Sequence, residues 1–280
     1  MQALALLAVL LVAAAGLWLW LRRRARPRFR RRWRVPARPR YPVVLVHGLF
    51  GFDEIEIGKA RHAYFKGVRA ALAKDGHSVR TASMALTGSI ATRAGQLARF
   101  VEGVEGRRVN LVAHSMGGLD ARYAIARLGL ERRVASLITV GSPHRGSPLA
   151  DLPGGLAGQL GLIKLLASAG VSIEAFRDLT TTSMARFNEE IVDAAGVAYG
   201  SVVGVVRRKR HTSPLLLPSH LWLLQTAGDN DGVVPASSQR WGEELAEIEA
   251  DHWAQIGWSK HFDAAAFYRD LLRELRAMGF

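Results

Sequence analysis

The sequence has no cysteine among its 280 residues. Disulfide bonds and thiolate metal sites are therefore excluded, and cysteine usage says nothing about the redox compartment. Charge is also missing from a long stretch, because residues 1–21 carry no charged side chain. Acidic residues are then absent from residues 22–40, which contain 11 arginines. These gaps set the first 40 residues apart from the rest of the chain.

The net charge of +14 comes mainly from this arginine-rich segment. Residues 41–280 hold 27 basic and 24 acidic residues, which is close to balance. Phe29 and Trp33 alone make a poor platform for stacking bases, so we expect no nucleic-acid partner. Hydrophobic residues make up 49% of the chain, enough for a sizeable core in one large domain or two small ones.

The uncharged N-terminal stretch predicts a transmembrane anchor over residues 1–21. Residues 3–21 contain neither charge nor proline, and such a run can cross a hydrocarbon layer of about 30 Å as a helix. Trp18 and Trp20 lie at its end, where indole rings favour the membrane interface. The alternative is a cleaved signal peptide, which needs basic residues before the run and a small-residue cleavage site after it. Here the basic residues follow the run, which favours the anchor.

Residues 22–40 form a basic linker interrupted by prolines. Their arginines are suited to contact anionic lipid head groups, although a topology signal and spacer would have the same composition. By the positive-inside rule, this charge places the linker and the following domain on the cytoplasmic side of the cell membrane. The sequence therefore predicts a single-pass membrane protein that faces the cytoplasm.

From Tyr41 onward, apolar strands alternate with amphipathic helices. This alternation predicts one α/β domain over residues 41–280, with a mostly parallel sheet and helices on both faces. The predicted strands are Val43–Val46, Ser78–Met84, 109–112, Val134–Val140, Val197–Val206 and Leu221–Thr226. The predicted helices are 60–74, Ser89–Val104, Leu119–Leu128 and Phe262–Met278.

Residues 151–195 interrupt the alternation with a segment rich in Gly, Leu, Ala and Ile. Such an insertion after a sheet strand predicts a helical cap or a mobile lid. Additional core helices are an equally good interpretation, because apolar helical spacing is more often core than site.

Ser115 lies in a turn between a predicted buried strand and a predicted helix, within Ala113-His114-Ser115-Met116-Gly117. Strand, sharp turn with small flanking residues, and helix form the pattern of a nucleophile elbow, which exposes a serine hydroxyl at the sheet edge. Ala113 replaces the more usual glycine, and its single methyl group is a mild departure. The alternative is a serine in an ordinary loop. The pattern favours Ser115 as a nucleophile.

Several blocks together resemble bacterial triacylglycerol lipases of the α/β-hydrolase fold. The resemblance extends from about Tyr41 to the C-terminus, with the blocks in the same order. They are Pro42–Asp53 around His47-Gly48-Leu49-Phe50-Gly51, Asn110–Tyr123 around the serine, Val140–Ser147, Met184–Asn188 and Asn230–Val234. The resemblance implies that fold and a serine hydrolase acting on lipid esters.

In this fold the order along the chain is serine, acid, histidine. Asp231 and Asp229 are both candidates for the acid, since each lies in a glycine-containing loop, and the resemblance favours Asp231. The remaining histidines are His252 and His261, and the family places its base at His252.

The resemblance also implies backbone oxyanion donors at Leu49 and Met116. His114 is too close in sequence to act on Ser115 and is expected to pack beneath the turn. His47 is expected to brace its own loop.

We expect no cofactor and no metal. Lipases of this kind often carry a structural calcium site, but the two matching positions here are Ala254 and Leu217, which offer no side-chain oxygen. Packing of Trp253, Ile256 and Trp258 would then hold the base loop.

The predicted activity is hydrolysis of lipid carboxylic esters through an acyl-enzyme, by a protein that contacts membrane lipids through its N-terminal helix and linker. Phospholipase or thioesterase activity on the same triad is the enzymatic alternative. A non-catalytic, hydrolase-like membrane scaffold is the alternative from a different class.

Overall fold

The computed structural model describes residues 38–49, 54–57, 60–152 and 174–280. The predicted anchor, most of the predicted linker and part of the predicted insertion, residues 153–173, lie outside the described residues. Among the residues that the structure does describe, no helix combines the length and apolar character needed to cross a membrane.

Eight strands form two sheets in the described parts of the chain. They are β1 (Val43–Val46), β2 (Glu54–Ile57), β3 (Ala60–Ala63), β4 (Val79–Thr81), β5 (Val109–His114), β6 (Val134–Val140), β7 (Ala198–Val205) and β8 (Glu243–Glu249). A six-stranded sheet forms the centre of the domain, with strand order β4-β1-β5-β6-β7-β8. All of its neighbouring strands are parallel, as the alternation predicts. A separate antiparallel pair joins β2 to β3.

Helices connect the strands and cover both faces of the sheet. They are α1 (Val68–Lys74), α2 (Ile90–Glu102), α3 (Gly117–Arg127), α4 (Pro148–Asp151), α5 (Glu174–Asp178), α6 (Thr181–Glu190), α7 (Leu217–Thr226), α8 (Ala236–Gln239) and α9 (Ala264–Ala277). The Ser89 side chain caps α2 by accepting from the Thr92 N–H, and the Asp263 side chain caps α9 by accepting from the Ala266 N–H.

The alternation of side chains along β1 shows how the two faces are filled. Val43 and Leu45 join the core beneath α1 and α9, whereas Val44 and Val46 join the core beneath α2 and α3. All four are buried. A strand with apolar residues on both faces must lie between two layers of helices, and the functional loops then emerge at the carboxyl ends of the strands.

The predicted helix over residues 60–74 is wrong in its first half. Ala60–Ala63 is a strand paired with Glu54–Ile57, and the helix starts only at Val68. Glu54-Ile55-Glu56-Ile57 alternates polar and apolar residues, which is the period of a strand. Gly67, with φ of 73°, directly precedes the helix in a left-handed conformation.

The predicted strand at Leu221–Thr226 is also wrong, because these residues belong to helix α7. A short apolar run cannot be assigned to strand or helix by periodicity alone. Pro218 lies in the first turn of this helix, where its missing N–H costs no hydrogen bond.

The described parts of the 151–195 insertion are helical, in α5 and α6. Asp178 at the end of α5 accepts a hydrogen bond from the Ile90 N–H at the start of α2. Asp151 accepts from both the backbone N–H and the hydroxyl of Thr181 at the start of α6. These bonds attach the described helices of the insertion to the sheet domain.

Candidate active site

Ser115 occupies a strained turn between β5 and α3. Its φ is 55°, and among the described residues it is the one non-glycine residue with positive φ. Such a conformation persists only where the surroundings enforce it, and it is characteristic of functional sites. The predicted helix begins at Leu119 and the predicted strand ends at residue 112. In the structure α3 begins at Gly117 and β5 continues to His114, so both elements reach closer to Ser115.

The glycines after Ser115 allow the close packing that produces this turn. A Cβ atom on Gly117 would lie 2.7 Å from the His47 carbonyl oxygen, and one on Gly118 would lie 2.3 Å from Ser142 Oγ. Real Cβ atoms do not approach other atoms so closely, so side chains at these positions would push α3 away from the ends of β1 and β6.

The structure brings Ser115, His252 and Asp231 into one hydrogen-bonded line. His252 Nε2 lies 2.9 Å from Ser115 Oγ, and His252 Nδ1 lies 2.7 Å from Asp231 Oδ2. The three residues are 137 and 21 positions apart in sequence, yet they meet because Ser115 follows β5, His252 follows β8, and Asp231 lies beside the end of β7. The Val206 N–H, directly after β7, donates to the Asn230 carbonyl at 2.9 Å.

Asp231 is sealed from solvent and saturated with donors. Its Oδ1 accepts from the backbone N–H groups of Val233 and Val234 at 3.0 and 2.8 Å. Its Oδ2 accepts from His252 and also from Gln255 Nε2 at 2.9 Å. A carboxylate held from both sides keeps one orientation and can hold the imidazole ring in one tautomer.

Asp229, the alternative acid, points elsewhere. Its side chain is 53% exposed and forms a 3.6 Å ion pair with Arg207. The backbone carbonyl of Asp229 accepts from the Ala236 N–H instead. Of the two sequence candidates, the structure therefore brings Asp231, and not Asp229, to His252.

The loop after β1 passes directly beside Ser115. A Cβ atom on Gly48 would lie 2.7 Å from the Ser115 Cβ. Leu49 follows in a turn and is the last described residue before the gap at 50–53. Met116 directly follows Ser115, and within the described residues its backbone N–H has no hydrogen-bond acceptor. These positions are compatible with the predicted oxyanion donors.

A buried ion pair fixes this loop. Arg93 donates to the carbonyl oxygens of His47 and Gly48 at 2.8 and 3.1 Å. Its Nε lies 2.8 Å from Asp120 Oδ2, in the first turn of α3. Burial raises the pKa of Asp120 to about 7, although the positive charge of Arg93 opposes this. Arg93 thus connects the loop after β1 to the helix that follows Ser115.

His47 and His114 have structural roles, as predicted. His47 Nδ1–H donates to the Gly48 carbonyl, and its Nε2 accepts from the Met84 N–H. His114 is buried beneath the turn, where its ring lies 4.5 Å from the His252 ring. Burial lowers the pKa of His47 to about 4 and that of His114 well below its usual value. His261 is exposed and stacks on His211.

The loop that carries His252 is held by a carboxylate. Asp251 is fully buried and accepts from the N–H groups of Ser213, Trp253 and Ala254 at 2.6, 3.0 and 2.7 Å. These N–H groups present partial positive charge to the carboxylate, so it is not available to a cation. Ala254 and Leu217, at the two positions that the resemblance assigns to calcium ligands, offer no side-chain oxygen. The residues present at these positions therefore do not fit the calcium site.

The aromatic packing expected around this loop is only part of its support. The indole of Trp258 donates to the Tyr64 carbonyl at 2.9 Å, and Ile256 is buried in the core. The hydrogen bonds of Asp251 supply the rest, and sequence reasoning did not assign that role.

An apolar cluster lies on the cap side of Ser115. It contains Ile90, Met116, Leu119, Ala175 and Met184, with Leu49 and Phe187 packed against it. The cluster joins the residue after Ser115 to the described helices of the insertion. Its five core members are buried, whereas Leu49 and Phe187 at its edge are partly exposed. An apolar edge beside the serine suits a substrate with a hydrocarbon part.

Three residues that support the site were not predicted from the sequence: Arg93, Asp120 and Gln255. Arg93 could have been noticed, because it lies on the stripe of Ile90, Ala94 and Leu97, where a charge must be paired if it is buried. Gln255, three residues after His252, and Asp120 carry no comparable signal.

The arrangement is chemically suited to acyl transfer. A histidine within hydrogen-bond distance of a serine can remove its proton, and a buried carboxylate on the opposite ring nitrogen stabilises the resulting imidazolium. Ser115 and His252 retain 9% and 7% exposure, whereas Asp231 has none. Reactive groups thus face outward while the supporting carboxylate is enclosed.

Comparison with known proteins finds relatives over most of the chain. The sequence model of the palmitoyl protein thioesterase family matches residues 42–181. A triacylglycerol lipase of Pseudomonas fragi is 31% identical to the chain over an alignment 292 residues long, gaps included, that covers 86% of the chain and 97% of the relative. Triacylglycerol lipase 2 of Saccharomyces cerevisiae is 28% identical over an alignment 306 residues long, which covers 86% of the chain and 93% of the relative.

Solved structures resemble the fold as well. The mature form of a Bacillus licheniformis lipase superimposes with a TM-score of 0.67 at 25% identity, covering 85% of this chain and 93% of its own. A coverage of 85% of the chain means that the similarity extends far beyond the serine turn.

Proposed function

Because the chain belongs to the bacterial triacylglycerol lipase family of the α/β-hydrolase fold, we propose that it cleaves lipid esters with Ser115 as nucleophile, His252 as base and Asp231 as acid. That it is a carboxylic ester hydrolase follows from its relatives. The observation that carries the residue assignment is the hydrogen-bonded line from Ser115 Oγ through both nitrogens of His252 to Asp231.

The reaction begins with proton transfer from Ser115 to His252 Nε2. The serine oxygen attacks the ester carbonyl carbon, and the N–H groups of Met116 and Leu49 stabilise the resulting oxyanion. The C–O bond to the alcohol then breaks, and the protonated His252 supplies the proton that the alcohol needs to leave. Water, deprotonated by the same nitrogen, then attacks the acyl carbon. The C–O bond to Ser115 breaks, His252 returns its proton to the serine oxygen, and the carboxylic acid is released.

The apolar cluster beside Ser115 supports a lipid substrate. Met116, Leu119 and Met184 are buried in it, so an acyl chain would meet the partly exposed Leu49 and Phe187 at its edge. The main alternative substrates are thioesters and phospholipids on the same residues. The match of residues 42–181 to the palmitoyl protein thioesterase family favours the thioester among these two.

Substrates that share a palmitoyl chain would separate these possibilities. We expect kcat/KM to be highest for palmitoyl glycerol esters, lower for palmitoyl thioesters and lowest for phospholipids. Ser115→Ala should abolish turnover of all three. A preference for the thioester would move the protein to the alternative activity, and full activity of Ser115→Ala would contradict the proposed nucleophile.

We also propose that residues 1–21 anchor the protein in the cell membrane, with residues 22–40 against anionic lipids on the cytoplasmic side. The support is the uncharged run followed by 11 arginines. C-terminal fusions to two reporters, one active only in the cytoplasm and one only outside it, test this orientation. Activity of the second reporter would reverse it.

A further inference from the structure

Gln255 touches Asp231 from the side opposite the backbone donors. It lies in a 3-10 turn, Ala254–Ile256, and it is fully buried. Its Nε2 donates to Asp231 Oδ2, the same oxygen that accepts from His252 Nδ1. The glutamine therefore acts on the carboxylate oxygen that faces the base.

Two glycines make room for this side chain. A Cβ atom on Gly141, just after β6, would lie 2.2 Å from Gln255 Oε1, and one on Gly204, within β7, would lie 2.1 Å from its Nε2. The amide group is thus enclosed between the ends of two neighbouring strands. It cannot turn away from Asp231 without colliding with the backbone of one of them.

The direction of the amide follows from its partner. A carboxylate only accepts hydrogen bonds, so the nitrogen faces Asp231 and the oxygen faces away from it. Oε1 is buried and has no hydrogen bond of ordinary geometry within the described residues, and the same holds for His114 Nε2. Burial and the neighbouring His252 lower the pKa of His114, whereas the hydrogen-bonding side chain of Gln255 acts to raise it.

The Tyr64 hydroxyl settles the tautomer of His114. It lies 2.7 Å from His114 Nδ1, and burial raises the pKa of Tyr64, so the hydroxyl keeps its proton. If the hydroxyl donates to Nδ1, a neutral His114 carries its own proton on Nε2, the nitrogen that needs an acceptor. Gln255 Oε1, which needs a donor, is a neighbour of that nitrogen. The order Tyr64, His114, Gln255, Asp231 therefore places every donor next to an acceptor, although the bond between His114 and Gln255 is not formed with ordinary geometry.

We propose that Gln255 is a positioning residue that, backed by His114 and Tyr64, fixes the orientation and charge distribution of Asp231. This inference rests on the proposed function, because it gives Asp231 the role of acid. The titratable groups facing the His252 ring are Asp231, Ser115 and His114, among which only Asp231 is charged in this arrangement. Any change in the Asp231 carboxylate should therefore appear in the protonation of His252.

The test is the pH profile of kcat/KM for Gln255→Met, which keeps the length of the side chain but removes its donor and acceptor. An Asp231 carboxylate with one donor fewer attracts the His252 proton more strongly, so the acid limb should move to higher pH by about half a unit. We expect kcat to fall about tenfold or more, with KM within about twofold. Gln255→Glu should move the limb less than Gln255→Met, because two adjacent buried carboxyl groups share one proton and the protonated group still donates to its neighbour.

Gln239→Met is the matched control. Gln239 is an equally buried glutamine that bonds to the backbone of Gly204 and Val234 and not to Asp231. We expect it to lower the melting temperature without moving the acid limb. An unchanged limb in both Gln255 variants, or an equal shift in Gln239→Met, would overturn the proposal. Failure of the wild type to hydrolyse esters would instead contradict the proposed function, so the two failures are distinguishable.

Discussion

Ser115 combines a strained backbone with an acceptor for its proton. Its positive φ aims the hydroxyl at His252 Nε2, and the strain costs of order 1–3 kcal/mol that the rest of the fold must offset. Gly117 and Gly118 lower that cost by letting α3 approach β1 and β6. The residue itself was identifiable from the sequence, because small residues at fixed places around a serine have few other uses.

The choice between the two acidic residues is tested by a pair of variants. Asp231→Ala should lower kcat about 10³–10⁴-fold, because His252 loses the group that fixes its tautomer and stabilises its charge. Asp229→Ala should keep kcat within a few-fold, because the Asp229 side chain reaches solvent and Arg207. Steady-state kinetics on a soluble ester would decide, and a reversed ranking would transfer the role to Asp229.

Residue roles that depend on spatial neighbours could not be predicted from the chain. Asp231 and Asp229 both have turn-forming neighbours, and only the fold shows which of them reaches His252. Gln255 is one polar residue among many, and its contact with Asp231 depends on two glycines, Gly141 and Gly204, that lie far away in sequence.

Among the elements, strands and helices with clear periods were predicted well. β6 has the predicted bounds, Val134–Val140, and α2 begins at Ile90, one residue after the predicted start at Ser89. The errors fall on short segments with ambiguous patterns, such as Leu221–Thr226, where four apolar residues fit either a strand or a helix. Tertiary packing decides such cases, and in α7 it buries His220 and Leu223.

The loop between β8 and α9 is held by one buried carboxylate. Asp251 accepts from three backbone N–H groups, while the neighbouring Ala254 offers no side-chain oxygen. Removing the carboxylate would leave buried N–H groups without acceptors. Asp251→Ala should therefore lower the free energy of unfolding by about 3 kcal/mol and reduce activity through displacement of His252.

Denaturant unfolding of Asp251→Ala, with Asp229→Ala as an exposed acidic control, measures this effect. The same experiment on the wild type with a calcium chelator should show no change in unfolding or activity. A chelator-induced loss that calcium restores would show that other ligands hold a calcium ion in this protein.

On the scale of the whole molecule, three buried histidines make stability depend on pH. Burial lowers the pKa values of His47, His114 and His144 in the folded state, to about 4 for His47 and well below the usual value for the other two. The unfolded chain then binds more protons than the folded one below about pH 6.5. Stability is present above that pH and declines as the pH falls toward the folded-state values.

Each of these histidines should contribute a slope of up to about 1.4 kcal/mol per pH unit in that range. Unfolding free energies measured between pH 7 and 4.5 should therefore fall steeply. His144→Gln, a change outside the hydrogen-bonded line of Ser115, His252 and Asp231, should reduce the slope. Equal slopes for wild type and His144→Gln would contradict this account.

For the whole molecule, the sequence predicts the fold class of the domain and the role of the N-terminal segment. Periodicity and the order of motifs predicted a parallel α/β domain, because the central strands β1, β5 and β6 are buried on both faces and must be covered. The composition of the first 40 residues predicts an anchor and linker, which lie outside the described residues except for residues 38–40, so their arrangement stays a prediction.

Covalent labelling by a fluorophosphonate probe tests the central claim most directly, because the probe reacts only with a serine activated by a neighbouring base. The wild-type protein should be labelled once per chain, at Ser115. Ser115→Ala should not be labelled, and Asp231→Ala should be labelled much more slowly. An unlabelled wild type, or a Ser115→Ala variant labelled to the same extent, would contradict the account.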